Sequence, residues 1–183
     1  LAPGGSITDP EVTKMNGNNG NWKDATLVVE RKDGASAVDV FGVAAGSDVE
    51  LRADGKVYVN GAEVGKYTNG SGKLSFTFND LVTTDTVETV LNSITYTYDN
   101  DCSPDSSITL SYTLSDGNTD GFQGAGNVKY AHFDQEVTIH RVSDQCTPDD
   151  DVNQVEIKWV GGSTCGGNVL ENDSHPDIQR NFD

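Results

Sequence analysis

The sequence predicts an all-β fold, an antiparallel β-sandwich with one short helix and long loops. Three observations carry this. Short runs that alternate apolar with small or polar residues recur along the chain, with Gly-, Asn- and Asp-rich turn signals about every 8 to 12 residues. One stretch alone shows helical periodicity. The acidic residues are mostly aspartate, 21 Asp against 8 Glu, beside 15 Asn. A solvated helical surface would favour glutamate, whereas Asp and Asn favour turns and oxygen-rich loops.

In chain order, residues 1–20 read as an irregular lead-in rich in Gly, Asn, Pro and Asp. Trp22 opens the first strand, which continues through Ala25–Glu30 and stops at Lys32-Asp33-Gly34. Ala37–Val43 follows; its Asp39 is expected to face solvent, or to reach a metal if it sits at the strand end. Asp48–Leu51, Lys56–Val59 and Glu63–Tyr67 form a meander through Asp54-Gly55 and Asn60-Gly61. Such dipeptides suit tight hairpins, whose two central residues need positive φ. After a loop at Asn69–Gly72, Leu74–Phe78 is a period-2 strand. Thr84–Ser93 is the helical candidate: Val87, Val90 and Leu91 fall at i, i+3 and i+4, and Thr84 or Asp85 can cap it. Ile94–Tyr98, Ile108–Leu114, a short aromatic run Val128–Phe133 and Glu136–Val142 complete a sandwich core over residues 21–145. Residues 146–183 form an extension with one more strand, Val155–Val160, whose Trp159 continues an apolar face.

Net charge is −17, with no basic patch to neutralise phosphates, which excludes nucleic acid as a partner. No apolar run approaches a membrane span, so membrane insertion is not expected. Cys102, Cys146 and Cys165 allow one disulfide with one cysteine left over, or none. Pairing Cys146 with Cys165 would close an 18-residue loop, stabilising by about 3 kcal/mol in the chain-entropy view; Cys102 with Cys146 is the other option. No Cys-x-x-Cys spacing points to zinc or redox chemistry.

The stretch with most chemistry is Ser115-Asp116-Gly117-Asn118-Thr119-Asp120-Gly121. It follows a strand and offers oxygens from Asp116, Asn118 and Asp120 at positions 1, 3 and 5, with glycine at 6. That is the first half of a calcium loop. Position 12 is Asn127 rather than a bidentate glutamate, so a distant carboxylate must close the shell, Asp134 and Glu136 being nearest in sequence. An ordinary Asp-Gly turn is the competing reading. Asp99, Asp101 and Asp105 form a second candidate cluster, and Asp149, Asp150 and Asp151 a third, where either full solvation or a cation offsets the repulsion. Phe122, Gln123, Tyr130, His132 and Phe133 place aromatic and polar groups beside a glycine-rich loop, a composition suited to recognition. The alternative is that alternate members pack in the core. Enzyme signatures are lacking: His132, His140 and His175 have no metal-ligand spacing and no Gly-x-Ser-x-Gly elbow occurs. No catalytic residue is assigned.

A series of segments resembles the cadherin-like repeat modules of very large bacterial surface proteins, the repeats-in-toxin adhesins. It comprises Asn21-Trp22 with Ala25–Val29, Asp39-Val40-Phe41, Gly72–Asn79, Val87 with Val90-Leu91 and Ile94–Tyr96, and Tyr112–Asn118. The match spans residues 20–142, and Gly167–Asp177 looks like the opening of a next repeat. The resemblance implies calcium-stiffened β-sandwiches in tandem outside the cell, each a monomeric module beside neighbouring domains of one long chain. Most such modules are extenders and some bind ligands. The insertion Asp120–Phe133 and the tail beyond Cys146 exceed a minimal extender. The expected function is therefore a calcium-dependent adhesin module that takes a cell-surface peptide or glycan. A calcium-stiffened spacer and a carbohydrate-binding module of a secreted enzyme are the alternatives.

Overall fold

The computed structural model describes residues 5–99, 106–119, 121 and 126–139. The chain divides into two compact units, residues 1–99 with 108–137 and residues 100–107 with 138–183; the first holds most of the described residues. It begins with a short helix, α1 (Pro10–Thr13). Six strands follow: β1 (Thr26–Arg31), β2 (Asp39–Val43), β3 (Val49–Leu51), β4 (Lys56–Val59), β5 (Ala62–Gly70) and β6 (Lys73–Phe78). Helix α2 (Thr84–Ser93) leads to β7 (Ile94–Tyr98), β8 (Ser106–Ser115) and β9 (Tyr130–Ile139).

Seven strands form one sheet in the order β3-β4-β5-β6-β1-β8-β9, and β2 pairs with β7 in a second. β1 is antiparallel to both neighbours, Leu27 lying opposite Phe76 of β6 and Leu114 of β8, and Val29 opposite Leu74 and Tyr112. These partners share one face because strand side chains alternate. Leu27, Val29, Leu74, Phe76, Leu110 and Tyr112 are all buried, and Phe41 of β2 and Ile94 of β7 are buried with them. β2 packs on β6, closing the two-sheet sandwich that the alternating runs predict. Full burial of each large apolar side chain contributes about 1.5–3 kcal/mol.

Several local expectations hold and others need correction. Helix α2 occupies the expected residues with Val87 and Val90 buried, but its cap is Thr83, whose hydroxyl accepts from the Thr86 amide. Asn60-Gly61 has positive φ at both residues, as a tight hairpin requires; at Asp54-Gly55 only the glycine does. Asn69-Gly70 belongs to β5 rather than to a loop. Trp22 precedes β1 instead of opening it, donating its amide to the Val82 carbonyl and its indole N–H to Thr84 Oγ1 at 3.1 Å. The aromatic run and the strand after it are one continuous β9. Asp39 does not face solvent: its side chain is 0% exposed. Arg31 grips it through Nη2 at 2.5 Å and Nε at 3.0 Å, and the Tyr96 hydroxyl donates to it at 2.7 Å. The acid stands at the start of β2, and it is buried because a guanidinium on the neighbouring sheet satisfies both of its oxygens. The expected strand Val155–Val160, its Trp159 and the possible disulfide partners Cys102, Cys146 and Cys165 lie outside the described residues.

Candidate functional site

Two segments of the first unit line a cleft of about 830 Å3, within the range of ligand sites. One segment is residues 5–9, the other β9 from Tyr130 to Glu136; Trp22, Leu27, Leu91, Tyr112 and Leu114 line it between them.

Helix α2 holds the N-terminal segment by side chains. Asn92 bonds Gly5 twice, its Oδ1 accepting from the Gly5 amide at 3.0 Å and its Nδ2 donating to the Gly5 carbonyl at 3.2 Å. Glu88 Oε1 accepts from the Ile7 amide at 2.7 Å. A segment outside helix and strand has no ladder to satisfy its backbone, and these two side chains take that place. Asp9 then caps α1, its Oδ1 accepting from the Glu11 and Val12 amides. Leu91, on the helix face beside buried Val87 and Val90, reaches the cleft wall.

β9 is the last strand of the seven-stranded sheet, and its side chains divide by alternation. On one face His132 Nδ1 lies 3.0 Å from Thr113 Oγ1, with the Tyr130 ring stacked on the imidazole at 6.4 Å. Asp134 is on that face too, accepting from Lys32 Nζ at 2.6 Å, and the Lys32 ammonium with the Ser111 hydroxyl holds its carboxyl below the usual carboxylate range. On the other face Phe133 packs against Tyr112 with ring centroids 5.1 Å apart, a pairing worth about 0.5–1.5 kcal/mol. The Tyr112 hydroxyl donates to Gln135 Oε1 at 3.4 Å, and burial pushes that hydroxyl up to about 12. Of the expected recognition residues, Tyr130, His132 and Phe133 thus share a strand but not a face; Phe122 and Gln123 lie outside the described residues. Tyr130 and Phe133 are 61% and 48% exposed, unusual for such rings.

Asp116 closes the base of the loop that leads into β9. Its Oδ1 accepts from the Asn118 amide at 3.1 Å and from the Lys129 amide at 3.0 Å, while its own amide donates to the Lys129 carbonyl. Asp116 is 6% exposed and Asn118 3%, and Oδ2 of Asp116 accepts no hydrogen bond among the described residues. A buried carboxylate oxygen without a partner is costly unless a cation meets it. Gly117 sits at φ +74 with its α-carbon against the Lys23–Ala25 backbone; a Cβ there would come within 2.3 Å of the Ala25 nitrogen. The loop therefore docks on the segment just before β1. Three carboxylates, Glu11, Asp9 and Asp116, surround Lys129 and together raise its ammonium pKa, Glu11 most strongly through a 2.9 Å contact.

The residue types fit calcium in kind, since Asp116 and Asn118 both carry hard oxygens at one turn. Asp116 and Asn118 are the part of the expected set described at that turn; Asp120 lies outside the described residues. Asp134, expected to help close the shell, spends its carboxylate on Lys32 and Ser111. Asp99 is exposed at the end of β7, its amide donating to the Val38 carbonyl; Asp101, Asp105, Asp149 and Asp151 lie outside the described residues. Among the described residues no group of three or more His, Cys, Asp and Glu side chains is placed to hold a metal.

Residues 5–9, Trp22, Leu91, Tyr112 and Leu114 are cleft residues that sequence reasoning assigned to the lead-in or the core. Only Leu91 carried a signal, as the flank of the helix's apolar stripe. Comparison of the chain with family models, with curated proteins and with solved structures finds no match.

Proposed function

We propose that the chain is an extracellular adhesin module that binds a peptide ligand in the cleft between residues 5–9 and β9, on a β-sandwich braced by calcium. The observation that carries this reading is the cleft itself: exposed aromatic rings, the segment at residues 5–9 and strand β9 border one concave, largely apolar space. Ligand sites combine such apolar walls with a few placed polar groups.

Peptide is favoured over glycan by the geometry of the rings. A sugar stacks on a flat aromatic platform, whereas Tyr130 and Phe133 stand on opposite faces of β9. Tyr58, on the outer surface of β4, is covered by the Arg52 guanidinium at 3.6 Å from its centroid. The extended β9 suits a ligand that is itself extended, because main-chain groups then supply affinity and side-chain pockets supply specificity.

Calcium enters through Asp116 Oδ2 and Asn118. A bound ion would add positive charge beside Asp116, where Lys129 is shared among three carboxylates. The Asp116 turn would then hold the loop base and, through Gly117, the backbone at Lys23–Ala25. The strand series that resembles adhesin modules supports the same reading.

The test is a screen of peptide and glycan arrays at saturating calcium, repeated with chelator and with Phe133→Ala. The reading expects peptide hits that weaken at least tenfold with Phe133→Ala and fade with chelator. It is overturned if nothing binds, if the hits are glycans, or if binding ignores both changes.

A further inference from the structure

We propose that residues 5–9 are a hinged strap that opens and closes the cleft, with α1 as its fixed end and the Glu88–Asn92 face of α2 as its catch. A ligand enters while the strap is off the catch, and the strap latches again over it. The inference rests on the reading of the cleft as a binding site, and it adds how that site is entered.

The lining of the cleft calls for a wall that moves. Its rim is open, with Tyr130 61% and Phe133 48% exposed. Its floor is shut: Trp22, Leu27 and Tyr112 line the same space and are 2%, 2% and 3% exposed. A ligand that buries apolar side chains on that floor must first part the walls.

The two walls differ in what holds them. β9 is a ten-residue strand hydrogen-bonded to β8 within the seven-stranded sheet, and its Phe133 is packed on Tyr112. Moving it breaks a ladder. Residues 5–9 lie outside helix and strand, and side chains hold their backbone. Asn92 bonds the Gly5 amide and carbonyl at 3.0 and 3.2 Å, and Glu88 accepts from the Ile7 amide at 2.7 Å. Segments held by a few part-buried bonds open locally far more readily than core strands do. The strap is the wall that yields.

The catch engages the strap as a unit. Glu88 and Asn92 stand four residues apart on α2, a separation of about 6 Å along the axis. Residues two apart in a chain, as Gly5 and Ile7 are, lie at most about 7 Å from each other. One helix turn thus meets alternate main-chain positions. The far end stays put. Val12 of α1 is buried, Asp9 caps the helix through the Glu11 and Val12 amides, and the Thr13 amide donates to the Asp9 carbonyl. Pro10 keeps Asp9 in the extended region, at φ −134 and ψ 111, so the strap leaves α1 in a set direction. Motion falls to residues 5–8, and half-buried Ile7 moves in and out of the cleft with them.

The experiment uses the whole chain, first without ligand. Amide hydrogen exchange followed by NMR is expected to be at least tenfold faster at Gly5 and Ile7 than at Thr13. Asn92→Ala and Glu88→Ala are each expected to speed both Gly5 and Ile7 about tenfold and leave Thr13 unchanged. Glu88→Gln, which keeps an acceptor oxygen, is expected to stay within about threefold of wild type. Entry is then read by stopped-flow fluorescence with Nile red, a neutral apolar dye, its place checked by the shift of the Trp22 indole signal, and with the strongest peptide from the array screen. Association is expected to approach a limiting rate as the probe concentration rises, and Asn92→Ala to raise that rate at least about threefold. Dissociation rises by more, because the latched strap also touches the ligand.

Asn92→Ala that speeds Gly5 alone shows independent fraying and overturns the proposal. So do an association rate that the variants leave unchanged and a dye that fails to bind or leaves the Trp22 signal unmoved. Gly5 protection that grows with protein concentration places the strap on a second copy and overturns it too. An array peptide that binds in the cleft at a rate indifferent to Asn92→Ala overturns this inference and leaves the peptide reading standing. Faster dye entry in Asn92→Ala with no peptide bound leaves the strap standing and overturns the peptide reading.

Discussion

Arg31, Asp39 and Tyr96 tie the two sheets together through one buried carboxylate. Arg31 comes from β1 in the large sheet, while Asp39 and Tyr96 come from β2 and β7 in the small one. Burial alone would push the Asp39 carboxyl up, but the hydrogen bonds from Arg31 and Tyr96 outweigh it and hold it below the usual range. Removing the carboxylate strands a guanidinium against the sheet, so Asp39→Ala is expected to cost about 3 kcal/mol, read as a lower urea midpoint. The pH dependence follows from the lowered value: the contribution is complete above the unfolded carboxyl pKa of about 3.9 and is lost as pH falls through the folded one. The stability gap between wild type and Asp39→Asn should therefore be constant near neutrality and shrink below about pH 4; a gap that persists at low pH contradicts this. Alternation placed Asp39 on a strand, but its partner is eight residues back on another sheet, a contact that no periodicity encodes. Gly117 is a second such residue. Its positive φ and the approach of the Lys23–Ala25 backbone leave no room for a Cβ. Gly117→Ala is expected to destabilise by at least about 1–3 kcal/mol, measured by denaturant unfolding.

At the scale of elements, the strands and helix were legible because each carries its own period. Leu74–Phe78 alternates without a break and α2 repeats Val87, Val90 and Leu91 on one face, so local pattern and tertiary burial agree. β9 was legible only as two pieces, since exposed rings followed by acids give weak alternation. The strap at residues 5–9 was not legible at all: its order comes from Asn92 and Glu88, more than eighty residues away. Asn92→Ala removes both bonds to Gly5 while leaving the buried face of α2 intact. It is expected to speed hydrogen exchange at Gly5 and Ile7 and proteolysis near them, with a loss of global stability under about 1.5 kcal/mol. An unchanged exchange rate at Gly5 would show that the segment is held by something else. If the strap forms one wall of the binding cleft, the same variant should weaken the ligand.

At the scale of the molecule, the account is a two-sheet sandwich with a cleft along one edge and a polar turn at the cleft's end. The proposed calcium at Asp116 would make the fold sensitive to cation removal. Chelator is expected to lower the melting temperature by several degrees, since a ligand at one hundred times its Kd adds about 2.7 kcal/mol and 1 kcal/mol moves a domain of this size by about 2–4 °C. Asp116→Ala should start lower and respond less to chelator; identical shifts in both proteins would place the cation elsewhere. The candidate site was legible as chemistry but not as shape, because the loop motif and the aromatic run were visible in sequence while the opposing wall was not. The most direct test of the binding claim is an NMR titration of the isotope-labelled chain with the first ligand from the peptide arrays, in calcium. The account predicts that amide shifts concentrate at residues 5–9 and 130–136. Shifts confined to the outer face of β3, β4 and β5, or no shifts at saturating ligand, would contradict it.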